Sequence, residues 1–171
     1  WSVLTKPIMN ELGLGLKETQ WTFSLAILFL GLSAAFLGSH VEKYGPRKSG
    51  LFAAACFCTG MFGTGLAVFL KSLPLIYLFY GVIGGIGLGT GYITPVSTLV
   101  KWFPKKRGFA TGIAIMGFGF ASMIAGPLFQ MLIEQYGLVA SFEIMGLAYL
   151  MIMVPSALYL APPEDVQELV A

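Results

Sequence analysis

The sequence predicts an all-α membrane protein, and three observations carry that prediction. The composition is 57% hydrophobic and 11% charged, against roughly 45–50% and about 25% for soluble domains. A soluble chain of this size needs a charged skin, so lipid is the better solvent for it. Five apolar runs with few charges cover residues 19–41, 49–71, 73–100, 108–133 and 138–161, each close to the ~20 residues that cross a bilayer. Residues 87–122 join two glycine-rich apolar runs through a short cationic turn, KWFPKKR at 101–107. The net charge of +2 is too small to argue for nucleic acid, and no such partner is expected.

Taken in order, residues 1–8 (WSVLTKPI) are apolar but too short to cross, and read as the end of a first helix whose remainder is missing. The chain opens on Trp1 with no basic n-region or cleavage site, so this is not a signal peptide; it looks like a piece of a longer protein. Residues 10–20 carry Glu11, Gly13, Gly15, Lys17 and Glu18 and are predicted to be a connecting loop. Five complete spans follow, the last accepting Glu143 inside it. Cys56 and Cys58 form a lone C-x-C in an apolar run, which lacks the second ligand pair of a zinc site and reads as small apolar packing. No metal and no cofactor are expected.

The bases set an orientation. Lys43, Arg47 and Lys48 occupy one short loop, and Lys101, Lys105, Lys106 and Arg107 occupy the next loop on that side. The opposite side holds Lys6, Lys17 and Lys71. Seven bases against three, in short loops, predicts that the richer side is cytoplasmic, together with the tail residues Glu164, Asp165 and Glu168. That makes the chain a multi-pass protein of the plasma (inner) membrane.

Glycine crowds two of the spans: Gly81, Gly84, Gly85, Gly87, Gly89 and Gly91 in one, Gly112, Gly117, Gly119 and Gly126 in the next. In lipid, small residues let helix backbones approach closely, so both spans are predicted to pack through them, with kinks at Pro95 and Pro127. GIGLGTG at 85–91 is not a dinucleotide fingerprint: its third glycine is misplaced, no strand precedes it, and bases rather than an acid stand some 20 residues on.

The loop at 38–48 (GSHVEKYGPRK) is more telling. Glu42 can pair with a cation on a neighbouring helix and latch this face; the bland alternative is a solvated, positively charged loop. The pattern of Gly38, Glu42, Lys43, Gly45, Arg47 and Lys48 resembles the signature loop of the major facilitator superfamily, with Glu42 and Lys43 where that family usually has its acid and arginine. The run from Trp102 through Ala114, WFPKKRGFATGIA, is similar to the junction of helices four and five in the oxalate:formate antiporter family and the related monocarboxylate transporters. WSVLTKP at the start, Leu12-Gly13 and Gly45-Pro46-Arg47 resemble that family too, so the resemblance covers essentially the whole chain.

The resemblance implies a fold and an activity. The major facilitator fold has two six-helix halves, each a pair of inverted three-helix repeats, with substrate bound between the halves. This chain would be the N-terminal half, its first helix mostly missing, and a second six-helix half would be its partner. The transported molecule would be a small organic anion. Gly38–Lys48 and the basic turn with Lys106 and Arg107 would form the cytoplasmic gate. Tyr92, Gln20 and Phe118 stand where family members that carry oxalate have pocket residues, with Phe118 replacing a tyrosine. On the residues alone, Gln20 reads equally as an interfacial cap and Tyr92 as a packed aromatic.

Two titratable residues remain. Glu143 lies near a helix start, where the dipole and the interface both tolerate an anion, and proton coupling is its other reading. His40 sits at the cytoplasmic boundary and reads as a solvated or capping side chain. Tyr80 stands where many proton-coupled facilitators carry an arginine, and no other base occupies the middle of a span. A buried carboxylate needs a cation, which the resemblance places in the second half. The expected activity is therefore carboxylate transport by alternating access, as exchange. A proton-coupled monocarboxylate symporter is the alternative, and a non-transporting sensor or scaffold on the same fold is the second. An enzyme is not expected, because its polar cluster within the spans is lacking.

Overall fold

The computed structural model describes residues 2–160. The acidic tail at Glu164, Asp165 and Glu168, Trp1 and the last residue of the fifth span lie outside the described residues. Six helices follow one another: α1 Ser2–Leu12, α2 Leu16–Tyr44, α3 Pro46–Phe69, α4 Leu73–Trp102, α5 Pro104–Tyr136 and α6 Leu138–Tyr159. The last five are 22 to 33 residues long, enough to cross a bilayer, and they contain the five predicted spans apart from a residue or two at their ends. Tyr77–Ile83 forms a π-helical stretch in α4, and Pro104–Lys106 a 3-10 turn that opens α5.

Prolines mark the helix starts: Pro46, Pro74 and Pro104 sit in the first turn, where a missing N–H leaves no bond unmade. Pro95, Pro127 and Pro155 lie inside helices that continue through them.

The predicted loop at residues 10–20 is corrected. Helix α1 runs on to Leu12 and α2 begins at Leu16, so only residues 13–15 connect them. Gly13 reverses the chain at φ +65°, and Thr19 donates its hydroxyl to Gly15 O at 3.0 Å. The charges at Glu11, Lys17 and Glu18 mark where a helix leaves the apolar layer, not where it ends.

The α2–α3 and α5–α6 turns are the same turn made twice. Val41-Glu42-Lys43-Tyr44-Gly45 and Ile133-Glu134-Gln135-Tyr136-Gly137 each close with the glycine N–H donating to the residue four back, at 3.0 Å. Gly45 adopts φ 83°, ψ 164° and Gly137 φ 87°, ψ 171°, a region essentially reserved for glycine. Ser49 and Ser141 then donate their amides to those glycines' carbonyls. Three spans separate the two turns, so they lie on opposite faces: the second three helices repeat the first three, inverted.

The packing obeys the same operation. Helices α3 and α6 cross through small residues: a methyl built on Gly50 lies 2.9 Å from Ala157 Cβ, and one built on Gly65 lies 3.2 Å from Phe142 Cβ. Counted from the repeated turn, Phe142 is the counterpart of Gly50 and Ala157 that of Gly65. The two contacts are therefore one contact seen twice, as a pseudo-twofold axis requires.

The apolar core sits at the end of the bundle away from the basic loops. Leu4, Ile8, Val68, Ile76, Leu132 and Phe142 are buried together there, and Phe129 meets Phe142 edge-on at 5.5 Å. Cys58 is buried, Cys56 half-buried, and both are free thiols.

Candidate substrate path and basic face

Helix α4 is the element that positions the rest. Its glycines hold two neighbours at backbone distance: a methyl on Gly85 would lie 2.8 Å from Ala26 O of α2, and one on Gly87 would lie 2.6 Å from Phe57 N of α3. Gly81 and Gly89 continue the contact with α2. A second stripe, Thr90, Thr94 and Thr98, is buried, and each hydroxyl donates to the carbonyl four residues back at 2.7–3.0 Å. These three hydroxyls are thus satisfied by their own helix, whereas the buried Thr22 hydroxyl of α2 has no hydrogen-bond partner among the described residues.

With two sides of α4 committed to α2 and α3, the remaining side presents Tyr92 to α5. There its ring lies 5.3 Å from that of Phe118, inclined by 39°. Both rings keep part of their surface open. Two of the three pocket candidates therefore meet.

Gln20 does not join them. Gly81, Gly85 and Gly89 contact Leu25, Ala26 and Leu30 in turn, which puts Tyr92 level with about Phe36 of α2. Gln20 lies more than four turns away, roughly 24 Å at 1.5 Å per residue. It is half-buried near the opposite end of the bundle, where Tyr77 donates its hydroxyl to Glu18 O at 2.7 Å.

The glycines of α5 behave unlike those of α4. Methyl groups on Gly108, Gly112, Gly117, Gly119 or Gly126 would meet nothing within 4 Å, and almost none of α5 is buried. Only part of the prediction holds: α4 packs through its glycines inside this chain, whereas the small-residue face of α5 has no neighbour among the described residues.

On the basic face, Gly38 sits within α2, and a methyl there would reach Ile93 Cδ1 of α4 at 3.3 Å. Gly45 makes the turn described above. Arg47 Nε donates to Leu160 O at 3.0 Å, joining the start of α3 to the end of α6. Lys43 Nζ lies 5.6 Å from the centroid of the Tyr44 ring, and Lys48 lines a cleft between α2 and α3. Glu42, Lys106 and Arg107 are exposed. Arg47 thus makes a bonded connection on this face through a carbonyl, a partner that no side-chain pattern in the sequence announces.

Glu143, half-buried, faces α3: a methyl on Gly65 would lie 2.8 Å from its Oε1. His40 faces Phe36 O at 3.3 Å through Nδ1 and stacks on Tyr44 at 6.2 Å. Among the described residues, no three His, Cys, Asp or Glu side chains gather as metal ligands would.

Comparison with known proteins agrees with this architecture. The chain is 31% identical over 147 residues to the oxalate:formate antiporter of Oxalobacter formigenes, which covers 86% of this chain and 34% of that protein. It is 32% identical over 149 residues to monocarboxylate transporter 4 of Rattus norvegicus, covering 85% and 30%. It is 27% identical over 169 residues to an uncharacterized transporter of the facilitator type from Escherichia coli, covering 98% and 41%. The chain thus spans well under half the length of these relatives. The model of the Major Facilitator Superfamily matches residues 1–170. A duplicated, inverted set of membrane helices and a family match over nearly the whole sequence lead to one conclusion: this chain belongs to the Major Facilitator Superfamily.

Proposed function

We propose that the chain is the N-terminal half of a secondary transporter that moves a small carboxylate across the plasma (inner) membrane by alternating access, as an exchanger. The observation that carries the reading is the open seam of α4 and α5. There Tyr92 and Phe118 come together on the side of α4 that is not taken up by α2 and α3. A second six-helix half, seated against the glycine face of α5, would close that seam into a central cavity. Tyr92 would then offer its hydroxyl to the carboxylate, and Phe118 would bound the site with an apolar wall. Gln20, at the far end of the bundle, would line the entrance and not the binding site. The cation that holds the anion would come from the second half; the spans of this chain carry no base at their middle.

The basic face would be cytoplasmic. Gly38, Glu42, Lys43, Gly45, Arg47 and Lys48 would form one side of a gate there, with Lys106 and Arg107 beside it. In that arrangement the exposed Glu42 pairs with a cation of the second half when the face is shut.

The testing experiment is reconstitution of the full-length protein in liposomes, following uptake of labelled oxalate, formate or lactate. Exchange predicts uptake that is stimulated by substrate inside the vesicle and indifferent to a pH gradient. A second reading, proton-coupled symport of a monocarboxylate, is favoured by Phe118, which supplies no hydroxyl for a small dianion. It predicts the reverse dependence. If no small carboxylate moves under either condition, both readings fail.

A further inference from the structure

The two repeats differ at one place that transport of a carboxylate does not explain. Helices α2 and α3 each pack closely on α4 but touch one another little. On the basic face they therefore leave a cleft of about 300 Å³ between them. Leu37, Val41 and Phe52 line it, with buried Thr90 of α4 at its base. The Thr90 hydroxyl already donates to Ile86 O at 3.0 Å, so apart from the buried Ser49 the interior is apolar. The exposed side chains of His40, Tyr44 and Lys48 stand at the rim, and among the described residues no carboxylate lines the cleft.

The matching place in the other repeat is filled. Counted from the repeated turn, the counterparts of Leu37 and His40 are Phe129 and Leu132, which are 6% and 8% exposed within the apolar core. The counterpart of Lys48 is Ala140. The fold can therefore close this cleft with apolar side chains, and on the basic face it does not.

The cleft also opens away from the substrate seam. Thr90 and Tyr92 are two residues apart on α4, roughly 200° around the helix, so they face opposite sides. The cleft belongs to the outer wall of the bundle, at the depth where α2 ends and the loop with Lys43, Arg47 and Lys48 begins.

We propose that this cleft binds one anionic glycerophospholipid of the adjoining leaflet. One acyl chain lies between α2 and α3, and the phosphate rests against Lys48 under the Tyr44 ring. The chemistry is complementary at both ends: an apolar slot for the chain, and a rim with a cation and an aromatic side chain at the depth of the headgroups, where such residues attract anionic lipid. Glu42 is the one acid of the loop, against three bases, and lies outside the cleft lining. The proposal does not depend on which solute is carried.

The test uses the full-length protein, purified in mild detergent, exchanged into micelles with phosphatidylglycerol or phosphatidylcholine, and examined by native mass spectrometry for retained lipid. Phosphatidylglycerol is expected to be retained in preference to phosphatidylcholine. Lys48→Gln should lower that retention about fivefold, the effect of one base near a charged headgroup, while Lys105→Gln on the same face leaves it unchanged. Leu37→Trp, which fills the slot and keeps Lys48, should lower retention as well. Equal losses from the two lysine variants, equal retention of the two lipids, or full retention in Leu37→Trp would each overturn the proposal.

Discussion

Single backbone positions set the strain in this chain, and their signs differ. Gly45 and Gly137 occupy backbone angles that a side chain adopts only at a cost of about 1–3 kcal/mol. Gly45→Ala and Gly137→Ala should each lower the unfolding free energy by that amount, seen as a lower midpoint of chemical denaturation in detergent. An unchanged midpoint would mean that the turn is not as described. Lys71 presents the opposite case. It follows the end of α3 with φ +52°, the left-handed region that costs a side chain about 1 kcal/mol or more. Lys71→Gly should therefore raise the unfolding free energy by about 1 kcal/mol, and the same midpoint with it. Gly87→Ala adds a methyl 2.6 Å from the backbone of Phe57, where nothing flexible gives way; a loss of about 1–3 kcal/mol is expected.

At the scale of elements, the two glycine-rich helices divide the work between them. Helix α4 uses its glycines within the chain and is gripped from two sides, whereas the glycines of α5 have no neighbour among the described residues. Gly117→Leu and Gly119→Leu should therefore leave the isolated chain's helix content and denaturation midpoint unchanged. In the full-length protein they should impair uptake if the second half seats on that face. Unimpaired uptake with either variant would place the second half elsewhere. The sequence shows glycine content in both helices but not this difference, because a glycine says that something can come close and not which neighbour does. Likewise the prediction that residues 10–20 form a loop failed because hydropathy reports the depth of a side chain in lipid, and a helix continues beyond that depth.

For the whole molecule, the repeated turn separates geometry from charge. Lys43, Arg47 and Lys48 correspond to Gln135, Val139 and Ala140, yet the two turns share backbone angles and hydrogen bonds. The bases are therefore not needed to make the turn, and their place on one face only is available for orientation. Exchanging the three residues between the turns leaves four bases on the original face and puts six on the other. Cysteine labelling from either side of the membrane should then find the chain inverted in part of the population. A single unchanged orientation would overturn the assignment of the basic face to the cytoplasm.

The sequence by itself determined the solvent, the number of spans, the basic face and the family resemblance, because these depend on residue type and spacing, which survive any packing. It also placed Tyr92 and Phe118 among the candidates without showing that their rings meet. Only the tertiary structure decided that they do, that Gln20 stands some four turns away, and that Arg47 reaches a carbonyl at the end of α6. These are relations between helices distant in sequence, set by where α4 is held by its glycines. The inverted repeat belongs to both: its turn is written in the residues, but the crossing of α3 and α6 shows that two weakly similar segments are one structure made twice.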